Sequence, residues 1–160
     1  MNDNAPTSYD IVPYVNRSFP QSNPNKLWVV ARLFGLNAPH PSQRRVLELG
    51  CGRGGNIVPM AFNMPRGEFA GIDLSAVQVA EARKMADKLG LSNLRLEQKD
   101  LMDLDAGFGQ FDYIIAHGVF SWAPAMPGNG ENGPASIEQT VSRELDSTLA
   151  TFARSSLPVD

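Results

Sequence analysis

The chain has 160 residues, of which 42% are hydrophobic, and carries a formal net charge of −3. That length and apolar content suffice for one globular domain with a buried core, whereas no apolar run approaches the roughly 18 residues that span a bilayer. The polar N-terminus lacks the features of a secretory signal, and a single cysteine excludes an internal disulfide and argues against a cysteine-built metal site. The basic side chains are too scattered to indicate nucleic-acid binding, so we expect a cytoplasmic protein without a metal, membrane or nucleic-acid partner.

Residues 1–45 are predicted to form an N-terminal lead that contains one helix. Four prolines before residue 25 oppose a long helix there. Apolar residues then recur at helical spacing within 25–36, and we expect a buried stripe made of Leu27, Val30, Ala31 and Phe34. Gly35 is expected to end this helix.

Strand and helix patterns alternate through the central region, residues 46–122. Short apolar runs predict strands at 45–49, 67–73, 94–100 and 111–119, and the segments between the first three predict helices at 56–64 and 75–90. Ser75 is placed to cap the second of these helices, and Gly90 to end it. Strands that alternate with helices indicate βαβ units, so the predicted fold is α/β with a doubly wound, Rossmann-like parallel sheet.

After residue 122 the pattern changes, and residues 123–160 are predicted to be an atypical loop followed by an amphipathic helix. The loop is rich in Pro and Gly. The helix is expected over 136–154, with Ile137, Val141, Leu145, Leu149 and Phe152 on one face. Because no further strand pattern follows, we expect the sheet to stop after its fourth strand, which would be an open edge unless the tail helix or a partner chain covers it.

Four glycines follow the first strand and admit two interpretations. Gly50, Gly52 and Gly54 form a G-x-G-x-G pattern, which favours a methyl-donor site, whereas Gly50, Gly52 and Gly55 form G-x-G-x-x-G, which favours a dinucleotide site. Glu48 distinguishes between these two interpretations, because a carboxylate repels a pyrophosphate but attracts the sulfonium and ammonium groups of S-adenosylmethionine. The loop is therefore predicted to bind S-adenosylmethionine, and an NAD-dependent oxidoreductase is the disfavoured alternative.

Polar residues end the later strands at one edge of the predicted sheet, the edge where α/β folds bind ligands. Asp73 is placed to accept hydrogen bonds from ribose hydroxyls, and its alternative role is to help start the next helix. Asp100 is placed to accept the adenine amino group while Leu101 packs on the ring, with an ordinary turn as the alternative. His117 ends the fourth strand, where a structural role is the alternative to ligand contact.

Several separate blocks resemble class I S-adenosylmethionine-dependent methyltransferases. These blocks are "VLELGCGRGGNIVPMA", "FAGIDLS" and "FDYIIAHGVFSWAP". More narrowly, they resemble the bacterial group whose catalytic domain is followed by a methyltransferase regulatory domain, and the lead "YDIVPYVNRSFPQSNPNKLWVVARLFGL" is similar to that group's N-terminal part. The resemblance covers residues 9–124, and the blocks agree in order.

The resemblance implies S-adenosylmethionine as the cofactor and a contact set at the sheet edge. It places Glu48, Gly50, Cys51, Gly52 and Gly54 around the methionine part, Asp73 and Leu74 at the ribose and adenine, Asp100 and Leu101 at the adenine, and Ala116 and His117 near the methionine moiety. It assigns no catalytic base. Some members of the group are protein-lysine methyltransferases, so a protein is one candidate for the methyl acceptor, whose identity the resemblance leaves unknown.

The end of the chain departs from the family pattern. Class I methyltransferases have a seven-stranded sheet, and four strands are predicted here. The departure implies a truncated or frameshifted copy, or a short variant, that retains the cofactor half-site. The alternative function, from another class, is a non-catalytic remnant or binding module that needs a partner chain to complete the sheet.

Overall fold

The computed structural model describes residues 17–117 and 149–150, and within them the chain forms three helices and five strands. In chain order these are α1 (Pro24–Leu33), β1 (Arg45–Leu49), α2 (Ile57–Asn63), β2 (Glu68–Asp73), α3 (Ala76–Lys88), β3 (Leu94–Gln98), β4 (Tyr113–Ala116) and β5 (Leu149–Ala150). Short 3-10 turns lie at Pro20–Ser22, Pro41–Gln43, Leu101–Asp103 and Ala106–Phe108. No helix of this described part is long and apolar enough to cross a membrane.

The strands form one parallel sheet in the order β3-β2-β1-β4-β5, which confirms the predicted Rossmann-like α/β fold. Strand β1 lies in the middle, where Leu49 is in register with Ile72 of β2 and with Ala116 of β4. Parallel strands all end at the same edge of the sheet. The residues that follow β1, β2 and β4 are therefore brought together.

Two apolar clusters cover the two faces of the sheet. Alternate residues of β1 divide between them, because successive side chains of a strand point to opposite faces. The first cluster joins one face to the helices, and it contains Leu27, Val46, Ile57, Val58, Phe69, Val79, Ala82, Tyr113 and Ile115. The second cluster contains Leu47, Leu49, Ala70, Ile72, Phe111, Ile114 and Ala116, with Leu101, Leu104 and Phe108 packed against it. Glu48 has the same strand parity as Val46 and so lies on the helix-covered face.

Helix α3 forms as its sequence predicts. The Ser75 hydroxyl accepts a hydrogen bond from the backbone N–H of Gln78 at 3.2 Å, which caps the first turn. Gly90 follows the helix with a φ of 65°, a left-handed conformation that favours glycine. Val79 and Ala82 are buried, whereas Leu89, which caps the end of the helix, is exposed.

Helix α1 buries less of its predicted stripe than its periodicity indicates. Leu27 is buried, but Val30 is 51% exposed and Phe34 is 81% exposed, so the prediction was wrong for these two residues. The helix contacts the core through its first turns, where Pro24 is also buried. Periodicity identifies an apolar face, but it does not say how far along that face the neighbouring core extends.

A two-residue strand extends the sheet beyond the four predicted strands. Tyr113 and Ile114 of β4 pair in parallel register with Leu149 and Ala150, which form β5. These two residues were predicted to be helical, and pairing with the unfilled backbone groups of β4 overrides that local periodicity. The other residues of the predicted tail loop and tail helix lie outside the described residues.

Candidate functional site

The glycine loop leaves the carboxyl end of β1 in a tight turn. Gly50, Gly52 and Gly54 have φ values of 68°, 52° and 78°, which L-residues with side chains rarely adopt. The backbone N–H of Gly54 donates to the Cys51 carbonyl at 2.9 Å, and the N–H of Val58 donates to the Gly54 carbonyl at 2.9 Å. The turn therefore leads directly into α2.

The loop lies directly against two helices, and one of its glycines makes this contact. A Cβ atom at Gly54 would lie 2.7 Å from Cγ2 of Val58 in α2 and 3.1 Å from Cβ of Ala82 in α3. The first contact is too short for real carbon atoms, and the second is tighter than most contacts that Cβ atoms make. Gly54 therefore allows the loop to approach the helices closely, and its role is at least partly structural.

Asp73 joins the glycine loop to the start of α3. Its Oδ2 accepts a hydrogen bond from the backbone N–H of Gly52 at 2.8 Å, and its Oδ1 accepts one from the N–H of Ser75 at 2.9 Å. The second bond is the helix-starting role that the sequence offered as an alternative. Each carboxylate oxygen has a further lone pair, so Asp73 can still accept hydrogen bonds from a ribose.

Glu48 is a buried carboxyl group with one oxygen satisfied. Its side chain is 3% exposed, and Oε1 accepts a hydrogen bond from Nδ2 of Asn56 at 2.6 Å. Oε2 has no hydrogen-bond partner among the described residues. The pKa of Glu48 is raised to about 8, mainly by burial; the bond from Asn56 opposes the rise, the nearby Asp73 carboxylate adds to it, and the backbone N–H of Ile57 opposes it. A cationic ligand would satisfy Oε2 and favour the ionised form.

Asn56 connects Glu48 to the N-terminal turn and was not predicted as a site residue. Its Nδ2 also donates to the Ser22 hydroxyl at 3.0 Å, and its Oδ1 accepts from the backbone N–H of Phe19 at 2.9 Å. Asn56 precedes α2 without capping it through its side chain. Its position before a helix was the only local signal, and that signal indicates a cap rather than contacts 34 and 37 residues away.

His117 follows β4 and contacts the same N-terminal turn. The Phe19 ring packs edge-on against the His117 ring, with 3.5 Å between the centroids. Neither ring nitrogen of His117 has a hydrogen-bond partner within residues 17–117 and 149–150. Burial lowers the pKa of His117, so the ring is neutral at pH 7. Ala116, before it, is buried in the second apolar cluster.

The predicted adenine-binding residues follow β2 and β3. Leu74 is 42% exposed, Leu101 is half-buried against the second apolar cluster, and Asp100 is exposed just before the Leu101–Asp103 turn. The N–H of Lys99 donates to the Asp73 carbonyl at 3.0 Å, which holds the ends of β2 and β3 together. The roles of these residues toward a ligand stay predictions.

Cys51 is buried inside the loop rather than presented at its surface. Its backbone N–H donates to the Ile72 carbonyl at 2.9 Å. A Cβ at Gly71 of β2 would lie 3.0 Å from both Cβ and Sγ of Cys51, so the glycine makes room for this side chain. Burial raises the pKa of the thiol, and the carboxyl groups of Glu48 and Asp73 raise it further. These features disfavour a role of the thiol as a nucleophile, and the contact of Cys51 with the cofactor stays a prediction.

The chain is similar to proteins of known family. Its residues 40–150 match a family model described as a methyltransferase domain. An uncharacterized protein of Rickettsia prowazekii is 47% identical over 118 residues, which are 74% of this chain and 21% of that protein. The trans-aconitate 2-methyltransferase of Deinococcus radiodurans is 33% identical over 89 residues, which are 56% of this chain and 32% of that enzyme.

A solved structure shares both the fold and part of the sequence. PKMT2 from Rickettsia typhi, in complex with AdoHcy, superposes with a TM-score of 0.76 at 32% identity, covering 86% of this chain and 26% of that one. The chain thus spans about a quarter of PKMT2 and about a fifth of the Rickettsia prowazekii relative. The methyltransferase domain model covers more than half of the chain, as the resemblance to class I S-adenosylmethionine-dependent methyltransferases implied. The chain therefore belongs to the methyltransferase domain family.

Proposed function

We propose that this chain is the cofactor-binding unit of an S-adenosylmethionine-dependent methyltransferase. The observation that carries the proposal is Glu48, a buried carboxyl with one unsatisfied oxygen on the strand that leads into the glycine loop. S-adenosylmethionine carries an ammonium and a sulfonium, and either cation would stabilise an ionised Glu48. A dinucleotide would instead bring a pyrophosphate toward this carboxyl, which disfavours the oxidoreductase alternative.

The chain's own residues would bind and orient the cofactor, which supplies a methyl group on a positively charged sulfur. Glu48 would bind the cationic methionine part, while Gly50 and Gly52 let the backbone approach it closely. Asp73 would accept hydrogen bonds from the ribose hydroxyls. The exposed Leu74 would flank the adenine. Methyl transfer depends strongly on such positioning, and we assign no catalytic base.

The adenine end of the proposed site would use residues that follow β3. The methionine end would use residues at the end of β4. Asp100 would accept the adenine amino group, and Leu101 would pack on the ring. His117 and Ala116 lie at the end of β4, next to the carboxyl end of β1. The pairing of Ala116 with Leu49 of β1 supports a position of both residues near the methionine part.

We further propose that the methyl acceptor is a protein and that the chain acts in the cytoplasm. Support for the acceptor comes from the similarity to PKMT2 and from the resemblance to a group that includes protein-lysine methyltransferases. Support for the compartment comes from the single cysteine, which suits a reducing environment.

Calorimetric titration of the 160-residue chain with AdoHcy, S-adenosylmethionine and NAD tests the cofactor. We expect the first two to bind and NAD not to bind. Glu48→Gln should weaken binding about tenfold or more, because it removes a charge-assisted contact. Glu68→Gln is the matched control, since Glu68 is exposed at the start of β2 and away from the loop. Binding of NAD alone would contradict the proposal.

Transfer of a labelled methyl group to the proteins of a cell extract tests the acceptor. Incorporation of label into protein is the expected result. Cofactor binding without any transfer would instead favour the alternative function, a non-catalytic binding module.

A further inference from the structure

Asn56 uses every polar group of its side chain in the described structure. Both Nδ2 protons are donated, one to Glu48 Oε1 at 2.6 Å and the other to Ser22 Oγ at 3.0 Å, while Oδ1 accepts from the N–H of Phe19 at 2.9 Å. The flipped amide would set its oxygen against the Glu48 oxygen and its NH2 against the Phe19 N–H. The network therefore determines the orientation of the amide.

The partners of Asn56 belong to two separate parts of the candidate site. Glu48 is the carboxyl at the glycine loop, whereas Phe19 and Ser22 lie in the N-terminal turn that contacts His117 after β4. Ser22 is itself buried and donates to the Phe19 carbonyl at 2.8 Å, which holds the turn closed. Asn56, which is 4% exposed, therefore links this turn to the Glu48 carboxyl group through hydrogen bonds.

The hydrogen bond from Asn56 also decides which Glu48 oxygen remains for a ligand. With Oε1 engaged, Oε2 is the oxygen without a partner among the described residues. A carboxyl group held by this directional donor cannot rotate freely, so its second oxygen has a defined position. A cation that binds there would also strengthen the bond from Asn56, because hydrogen bonds to ionised acceptors are stronger.

We infer that Asn56 is a positioning residue for the methionine end of the cofactor: it orients Glu48 toward the cofactor's amino-acid part and holds the Phe19–Ser22 turn over that end of the site. This inference rests on the proposed function. If Asn56 only stabilised the fold, its loss would weaken the binding of all cofactor-like ligands equally. If it is a positioning residue, its loss should selectively weaken the binding of ligands that carry the amino-acid part.

Two probes separate positioning from general stabilisation. AdoHcy carries the adenosine and the amino-acid part, whereas 5′-methylthioadenosine carries the adenosine and thioether without the amino-acid part. In the full chain, Asn56→Ala should weaken AdoHcy binding about tenfold or more and change methylthioadenosine binding by less than about twofold. Asn63→Ala is the matched control, since Asn63 is exposed at the last residue of α2 and its side-chain amide donates to the Pro59 carbonyl at 2.8 Å. It should leave both affinities unchanged.

Ser22→Ala provides a second variant in case Asn56→Ala does not fold. It removes one Asn56 partner and leaves the Glu48 contact, so a smaller loss of about threefold, again confined to AdoHcy, is expected. Equal losses for both probes, or no loss for AdoHcy, would overturn this inference and leave the proposed function intact. Failure of the wild-type chain to bind AdoHcy would overturn the proposed function and, with it, the inference.

Discussion

At the scale of single residues, Glu48 combines a local sequence signal with an environment that no sequence pattern describes. The acidic residue before the glycine loop was recognisable from its position alone. Its burial and its pKa of about 8 depend on neighbours from β2 and α2, which only the folded chain brings close. The same is true of Asn56, whose contacts with Ser22 and Phe19 cross 34 and 37 residues. The position of Glu48 before the glycine loop was therefore predictable, and its electrostatics were not.

Cofactor binding should release a proton from Glu48 at neutral pH. With a pKa of about 8 the free carboxyl is mostly protonated at pH 7, and a bound cation favours ionisation. Calorimetry of AdoHcy binding in buffers of different ionisation enthalpy should show release of close to one proton at pH 7 and almost none at pH 9. Glu48→Gln should abolish the release. An equal release in that variant would assign the proton to another group.

The Cys51 thiol should react slowly in the folded chain. It is buried and its pKa is raised, so little thiolate is available at neutral pH. Labelling with a thiol reagent at pH 7.5 should be at least about a hundredfold slower in the native chain than in urea, because a thiolate must form before it can react. Because Cys51 is the only cysteine, the label reports on this site alone. Rapid labelling of native protein would argue for a nucleophilic role instead.

At the scale of the elements, the glycine loop and the two helices beneath it act as one packed unit. Gly54→Ala should destabilise the chain by about 2 to 4 kcal/mol, since it combines an unfavourable φ with one contact that is too short and a second that is tight. Urea unfolding measures the change. Gly35→Ala is the matched control: its φ is 77°, but no atom lies within 4 Å of the added Cβ, so only about 1 kcal/mol is expected. Equal losses would show that packing against the helices is unimportant.

The elements also show where sequence patterns succeed and fail. Strand β1 was predicted at its observed bounds, and Ser75 caps α3 as expected, because both follow from local apolar runs and capping chemistry. The exposed Phe34 and the strand at Leu149–Ala150 were missed. The exposure of Phe34 and the strand pairing of Leu149–Ala150 both depend on which other element lies beside the segment. The periodicity of a single segment does not contain that information.

At the scale of the whole molecule, Glu48 should make stability depend on pH. Its pKa in the folded chain is about 8, well above its ordinary value of 4.5. The contribution of this group to the free energy of unfolding is therefore fully present below pH 4.5 and is lost as the pH rises toward 8. Within that window, the free energy of unfolding should fall by up to about 1.4 kcal/mol per pH unit from this group. Urea unfolding from pH 5 to 9 measures this effect. The free energy of unfolding of Glu48→Gln, relative to that of wild type, should rise with pH and level off above pH 8. A difference that does not vary with pH would exclude a raised pKa, and Glu68→Gln should show no such trend.

The central place of β1 has a consequence for how the molecule opens. Its backbone pairs on both sides, with β2 and with β4, whereas β3 and β5 lie at the two edges of the sheet. Local openings begin where fewest contacts must break, so the edges should exchange their amide hydrogens first and β1 among the last. Strand β1, which carries Glu48 and leads into the glycine loop, would thus keep its geometry during the frequent partial openings of the sheet. A bound cofactor would therefore be released mainly by motions of the surrounding loops rather than by local unfolding of β1.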